Sequence, residues 1–294
     1  MKIALINENS QNSKNPMIEA ALKKVVEPMG HTVFNYGMYA DADSKPLTYV
    51  QNGILAAVLL NSGAADYVVT GCGTGEGAML ACNSFPGVLC GHVADPLDAY
   101  TFAQVNDGNA VAMPFALKNG WGQELNLEYT FEKLFGFGSG NGYPAERVEP
   151  EQRNKKILDG VRAVTMRPLV DVLGEIDQDL VKGALAGEHF QEYFFANATD
   201  EAIIAKVKEI LGPYGTTAAF CYLPTDAVGI GPTCAKGLTR ARRQPCSHRR
   251  WHRGCCRTSG HRPARGWQHR LQPGRRPAWY WDDSPWQAPA YRHR

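Results

Sequence analysis

Five short apolar runs alternate with longer stretches whose apolar positions fall three and four residues apart, and together they organise the first 136 residues. "KIALI" (2–6) predicts a strand. The stretch 15–29 predicts a helix, with Pro16 in its first turn and Gly30 as its stop. "HTVFNYG" (31–37) predicts a second strand and "LTYVQNGILAAVLLNSG" (47–63) a second helix. "ADYVVTG" (65–71) is continuous and apolar, as a strand buried on both faces should be. A helix over 75–82, a strand over 87–93, a helix over 96–107, a strand over 109–115 and a helix over 122–136 complete the series. Beyond Gly142 the pattern is helical as far as about residue 212.

Strand–helix alternation with short connections gives right-handed crossovers and a parallel sheet covered on both faces. Ligands of such sheets sit outside the carboxyl ends of the strands. Three loops therefore face one site: "NENSQ" after the first strand, "GCGTGEG" after the third and "HVADP" after the fourth. The chain divides into an α/β domain over 1–142, a helical extension over 143–212, and a linker and tail over 213–294.

Composition changes the picture most in the tail. Residues 1–238 carry a net charge of −10 and residues 239–294 one of +12, so the overall +2 describes neither part. The tail holds 14 Arg and no Lys, with five of the six Trp, five of the eight His and three of the eight Cys. It keeps neither a helical nor a strand period, and no packed domain is expected there. The mixture reads first as an out-of-frame translation of a GC-rich gene. A nucleic-acid-binding arm is the second reading, since arginine interleaved with aromatics suits phosphates and bases. A zinc site on Cys246, His248, Cys255, Cys256 and His261 is the third, although adjacent cysteines lack the spacing of a finger. No run of 18 apolar residues appears, and "MKIALINENS" is too short in its apolar part for a signal peptide. The expectation is a cytoplasmic chain with reduced thiols and no membrane partner.

The loop after the third strand carries the chemistry. Amides of a Gly-rich turn at a helix N-terminus hold an anion without a charged side chain, and the same geometry favours a thiolate. Cys72 lies between Gly71 and Gly73, so a thiolate there could take a proton from the carbon beside a carbonyl. Thr74 and backbone amides would support the enediolate oxygen. Glu76 suits the first turn of the following helix as an acid, and Glu8 faces the same site by topology. A different reading takes Gly73-x-Gly75-x-x-Ala78 as a dinucleotide fingerprint with Asp95 as its acid, giving an NAD(P)-dependent oxidoreductase. That fingerprint normally opens the first strand–helix unit, whereas this loop follows the third strand. A third reading is a catalytically inactive phosphosugar-binding protein.

Cys72-Gly73-Thr74-Gly75, Ala81-Cys82-Asn83, Gly87-Val88, Asp95-Pro96 with Ala99, and Asn106-Asp107 with Asn109 follow one another without gaps. This set resembles the ribose-5-phosphate isomerase B / galactose-6-phosphate isomerase subunit family over about residues 1–157. The resemblance implies a Rossmann-like three-layer α/β/α sandwich with a five-stranded parallel sheet, to which this chain adds a C-terminal helical extension. It also implies a homodimer or homotetramer with shared sites, and isomerisation of a small sugar phosphate with neither metal nor cofactor. Cys72 matches the family's general base, and Thr74, Gly73 and Gly75 its oxyanion loop. Asn106 and Asp107 match the segment that reaches the substrate, and Arg153, with Arg147 one and a half turns earlier, the phosphate-contacting arginine. The family's Asp-His after strand one is Glu8-Asn9 in this chain, and the histidine that helps open the sugar ring is Val105. The family's arginine after strand five falls on Ala116, with Lys118 nearby, and His92 reads first as a core histidine and second as a stand-in for a missing one. These departures suit a substrate already open-chain, such as a tetrose phosphate.

Overall fold

The computed structural model describes residues 1–39, 46–117 and 120–212. The basic tail, its candidate zinc ligands and Lys118 lie outside them. Five strands form one sheet: β1 Lys2–Ile6, β2 Thr32–Asn35, β3 Tyr67–Cys72, β4 Cys90–His92 and β5 Ala110–Pro114. Their order is β2-β1-β3-β5-β4, and every pairing is parallel. All residues of β3 and β5 are buried, as parallel strands with helices on both faces must be.

The helices connecting these strands are α1 Asn15–Val26, α2 Tyr49–Asn61, α3 Glu76–Asn83 and α4 Pro96–Thr101, with α5 Gln123–Phe135 following β5. They split into two cores, one on each sheet face. Leu22, Val69, Val111 and Phe131 belong to the core under α1, α4 and α5. Ile6, Val68, Leu55 and Ala112 belong to the other, under α2 and α3. Two details of this domain depart from simple periodicity. The polar "NSQNSK" forms a 3-10 helix, Asn9–Lys14, ahead of α1, and α4 runs on into a π-helical segment, Phe102–Asn106.

The helical extension comprises α6 Val148–Thr165, α7 Leu169–Glu175, α8 Gln178–Leu185, α9 Glu188–Asn197 and α10 Glu201–Leu211. Leu173, Val181, Phe190, Phe194 and Val207 join the same core as α2. Tyr36 beside β2 meets Phe190 at 6.3 Å between ring centroids, and Phe34 meets Tyr193 at 5.6 Å. Residues 51–59 of α2 are consequently buried without a break. Helix α6 differs from the rest, because it buries none of its residues. Among the described residues no helix is long and apolar enough to cross a membrane.

Candidate active site

Strand β3 delivers Cys72 to the carboxyl edge of the sheet, opposite Pro114 of β5 in register. The chain must then reverse into α3 within three residues. Gly75 makes that possible: it is the residue before the helix and has φ of +82°, which an L side chain adopts only with strain. The reversal aims the Gly75 amide back at the thiol, and its N–H donates to Cys72 Sγ at 3.2 Å. A helix N-terminus offers this kind of bond to an anion, and at this turn the acceptor is sulfur. Thr74 Oγ1 lies 4.0 Å from the same sulfur and is exposed, whereas Cys72 is only 8% exposed. The thiol thus forms the floor of the site and the threonine its rim.

Neighbouring strands brace the turn. The Gly73 carbonyl accepts from the amides of Ala116 and Leu117 at 3.0 and 3.2 Å, which ties the loop to the end of β5. The His92 ring, at the end of β4, places Nε2 2.9 Å from the Thr74 carbonyl oxygen. His92 therefore supports the loop backbone. Cys90 is a contrasting thiol, pushed well above its ordinary pKa by a hydrogen bond with Cys82 and by burial, so it remains a protonated core group. Glu76 is exposed in the first turn of α3.

The loop after β1 contributes differently from what its sequence suggests. Glu8 is buried and caps the 3-10 helix, accepting from the Ser10 amide at 2.8 Å and from the Ser10 hydroxyl. Asn9 is exposed, with its amide donating to the Leu47 carbonyl at 2.8 Å. Gln11 and Lys14, which the pattern did not single out, turn toward the Cys72 loop. Lys14 Nζ donates to Gln11 Oε1 at 2.6 Å and to the Phe115 carbonyl at 2.7 Å, and burial pushes its pKa below that of an ordinary lysine. Only the accumulation of amides in "NENSQNSK" hinted at them, and amides read equally well as a turn.

The remaining expected residues are not brought to Cys72 within one chain. Asn106 and Asp107 end the π-helical segment before β5 begins, at the opposite edge of the sheet. Asp107 there accepts from the Ser139 hydroxyl at 2.6 Å and lines a cleft of about 560 Å³ with Asn109, Lys155, Asp159 and Arg162. Arg147 and Arg153 are exposed at the start of α6. The same helix leaves Ile157, Val161 and Val164 exposed by 59%, 53% and 87%, an apolar stripe at helical spacing. Asp95, the acid of the dinucleotide reading, is occupied as the cap of α4, accepting from the amides of Leu97 and Asp98.

A family model described as Ribose/Galactose Isomerase matches residues 3–133, and another described as Ribose-5-phosphate isomerase matches residues 164–210. Among solved structures, a 4-deoxy-L-threo-5-hexosulose-uronate ketol-isomerase complexed with a tartrate is 61% identical, with a TM-score of 0.71 over 72% of this chain and 99% of its own. A ribose-5-phosphate isomerase from Vibrio parahaemolyticus is 49% identical, with a TM-score of 0.70 over the same shares of the two chains, 72% and 99%. No curated protein matches the chain.

Proposed function

The chain belongs to the ribose/galactose isomerase family of sugar isomerases, and we propose that it interconverts an aldose and a ketose through an enediolate, with Cys72 as general base. The thiolate takes the proton from the carbon beside the carbonyl, the electron pair of that C–H bond forms the C=C bond of the enediolate, and the carbonyl π pair moves onto the oxygen. The proton returns to the former carbonyl carbon while the hydroxyl proton passes between the two oxygens. One carbon is oxidised and its neighbour reduced, so the step balances without an external redox partner. The observation carrying this reading is the Gly75 N–H bond to Cys72 Sγ at 3.2 Å, at the mouth of β3. Because that amide serves the sulfur, the enediolate oxygen is left to Thr74, the Gly73 side of the loop and donors outside it.

We assign the rest of the site to a second copy of the chain in a homodimer or homotetramer. Asn106, Asp107, Arg147 and Arg153 lie away from their own Cys72, and the apolar stripe of α6 is suited to dock that copy. Guanidinium forks fit a phosphate or a carboxylate equally well. The 61% identical relative is described as acting on a 4-deoxy-5-hexosulose uronate. Such a chain has no hydroxyl at C4 and a ketone at C5, so no hydroxyl is placed to close a five- or six-membered ring on its aldehyde. Val105, in place of a ring-opening histidine, suits a substrate of this kind. We therefore place an open-chain acidic sugar in the site, the uronate first and a tetrose phosphate second. Cys72→Ala should lower turnover of whichever is accepted by about a thousand-fold, within the span of general-base catalysis. Turnover unchanged by that substitution across uronate, tetrose phosphate and ribose 5-phosphate would refute the mechanism.

A further inference from the structure

The polar turn after β1 holds a connected set of side chains that the mechanism above does not use. Lys14 Nζ donates to Gln11 Oε1 at 2.6 Å, Gln11 Nε2 donates to Ser10 Oγ at 2.9 Å, and Ser10 bonds to Glu8. The Asn7 side-chain amide holds the Gln11 carbonyl at 2.7 Å, so the backbone of this turn is fixed as well. Gln11 is 7% exposed, yet its Nε2 stands 3.9 Å from where a Cβ on Gly73 would be. The amide nitrogen therefore lies against the turn between Cys72 and Thr74. Lys14 reaches the same place from the other side, through the carbonyl of Phe115, whose amide in turn donates to the Cys72 carbonyl at 3.0 Å.

A primary amide nitrogen carries two hydrogens, and Ser10 takes one. The orientation of the group is decided by Lys14, since an ammonium can only donate and so must face Oε1 rather than Nε2. A charge-assisted bond at the oxygen also polarises the amide and strengthens its N–H donors. Resting on the isomerase reading, we propose that Gln11 is a substrate-contacting donor, holding an oxygen of the reacting carbons over Gly73, and that Lys14 is the positioning residue that orients it. This supplies the enediolate with a donor in place of the Gly75 amide, which is engaged by the thiol.

The test uses the full chain, with the hexosulose uronate and ribose 5-phosphate as substrates. Gln11→Glu keeps the size of the side chain and the bond to Lys14 but loses both N–H donors. Gln11→Met is a second variant that fills the space with no polar atoms. Each should retain the thermal transition of the parent and lose about 100-fold in kcat, as removal of one preorganised donor does. Lys14→Met should cost about tenfold in the parent, and nothing further in the Gln11→Met background, because a positioning residue has no effect once its object is gone. Turnover of both Gln11 variants within threefold of the parent, with Cys72→Ala inactive, overturns the proposal. Equal losses from Lys14→Met in both backgrounds overturn the positioning role. A Cys72→Ala enzyme that turns over normally overturns the underlying isomerase reading, and this proposal with it.

Discussion

Substituting Gly75 with alanine tests whether the turn after β3 exists to aim one amide at one sulfur. With φ at +82°, a Cβ at this position would stand 2.8 Å from the Met113 carbonyl carbon and 2.9 Å from the His92 ring. The left-handed backbone costs an L-residue about 1–2 kcal/mol. Intrusion against the backbone of β5, which cannot retreat without disturbing its ladder with β3, adds about 1–3 kcal/mol. The expected loss is thus about 2–5 kcal/mol, a large fraction of a domain's stability. It should be read from the midpoint of urea denaturation at unchanged slope. Because the strain is relieved by shifting the Gly75 amide away from Sγ, kcat should fall by about 10²–10³ as well, the loss expected from one misplaced donor to a developing or resident anion. Gly77→Ala provides the control. There a Cβ would meet only the ring of Tyr49 at 3.3 Å, and that ring is 46% exposed and able to move. It should leave both stability and turnover near those of the parent. If Gly75→Ala unfolds at the same urea concentration and turns over at the same rate as Gly77→Ala, the account of this loop is wrong.

Two further outcomes follow from the packing. Phe194 is fully buried, stacked on Phe190 at 4.9 Å and edge-on to Phe195 at 5.1 Å, so Phe194→Ala should cost about 3–5 kcal/mol by denaturant titration although it lies far along the chain from the sheet. A shared site predicts complementation: Cys72→Ala and Arg153→Ala chains, each inactive alone, should recover about a quarter of parent activity when refolded together as dimers, since half are mixed and each mixed dimer has one intact site. No recovery, with mixed dimers confirmed by mass, would mean that Arg153 serves the Cys72 of its own chain and would refute the shared site.

The strands were legible because β1, β3 and β5 are short, apolar and bounded by polar turns, and buried parallel strands carry no other signature. Helix α2 was legible as a helix, but the reason for its composition was not. Residues 51–59 are buried continuously because the sheet covers one side and the extension covers the other. A helix covered on both sides must be apolar all round, so the all-round pattern of "ILAAVLL" was a sign of a second layer. The 3-10 turn Asn9–Lys14 was hidden for the opposite reason: its residues are polar, and their burial comes from hydrogen bonds among themselves rather than from any apolar period. Motif resemblance singled out Cys72 and was silent on Gln11 and Lys14, because a resemblance can report only the positions its family uses.

Topology explains why the expected site residues fall into two groups. In the β3–β5 ladder Cys72 faces Pro114 and Val68 faces Ala110, while Asp107 precedes Ala110. The four steps from Ala110 to Pro114 alone span about 13 Å at the rise of a strand, farther than a six-carbon chain extends. No rotamer of Asn106 or Asp107 closes that distance, and both backbones are fixed where the π-helical segment ends, Asp107 at φ of +48°. A single chain therefore presents a thiol with its supporting turn at one edge of the sheet and a polar cleft at the other. In the homodimer or homotetramer proposed above, the two would become one site where another copy lays its cleft edge against this thiol edge. The exposed stripe on α6 is consistent with the same proposal. A helix with no fully buried residue in its own chain, yet with Ile157, Val161 and Val164 exposed on one side, offers the apolar face that such a copy would cover. On that proposal Arg147 and Arg153, at the start of the same helix, would reach the substrate anion as the stripe docks, so one contact would serve assembly and binding together.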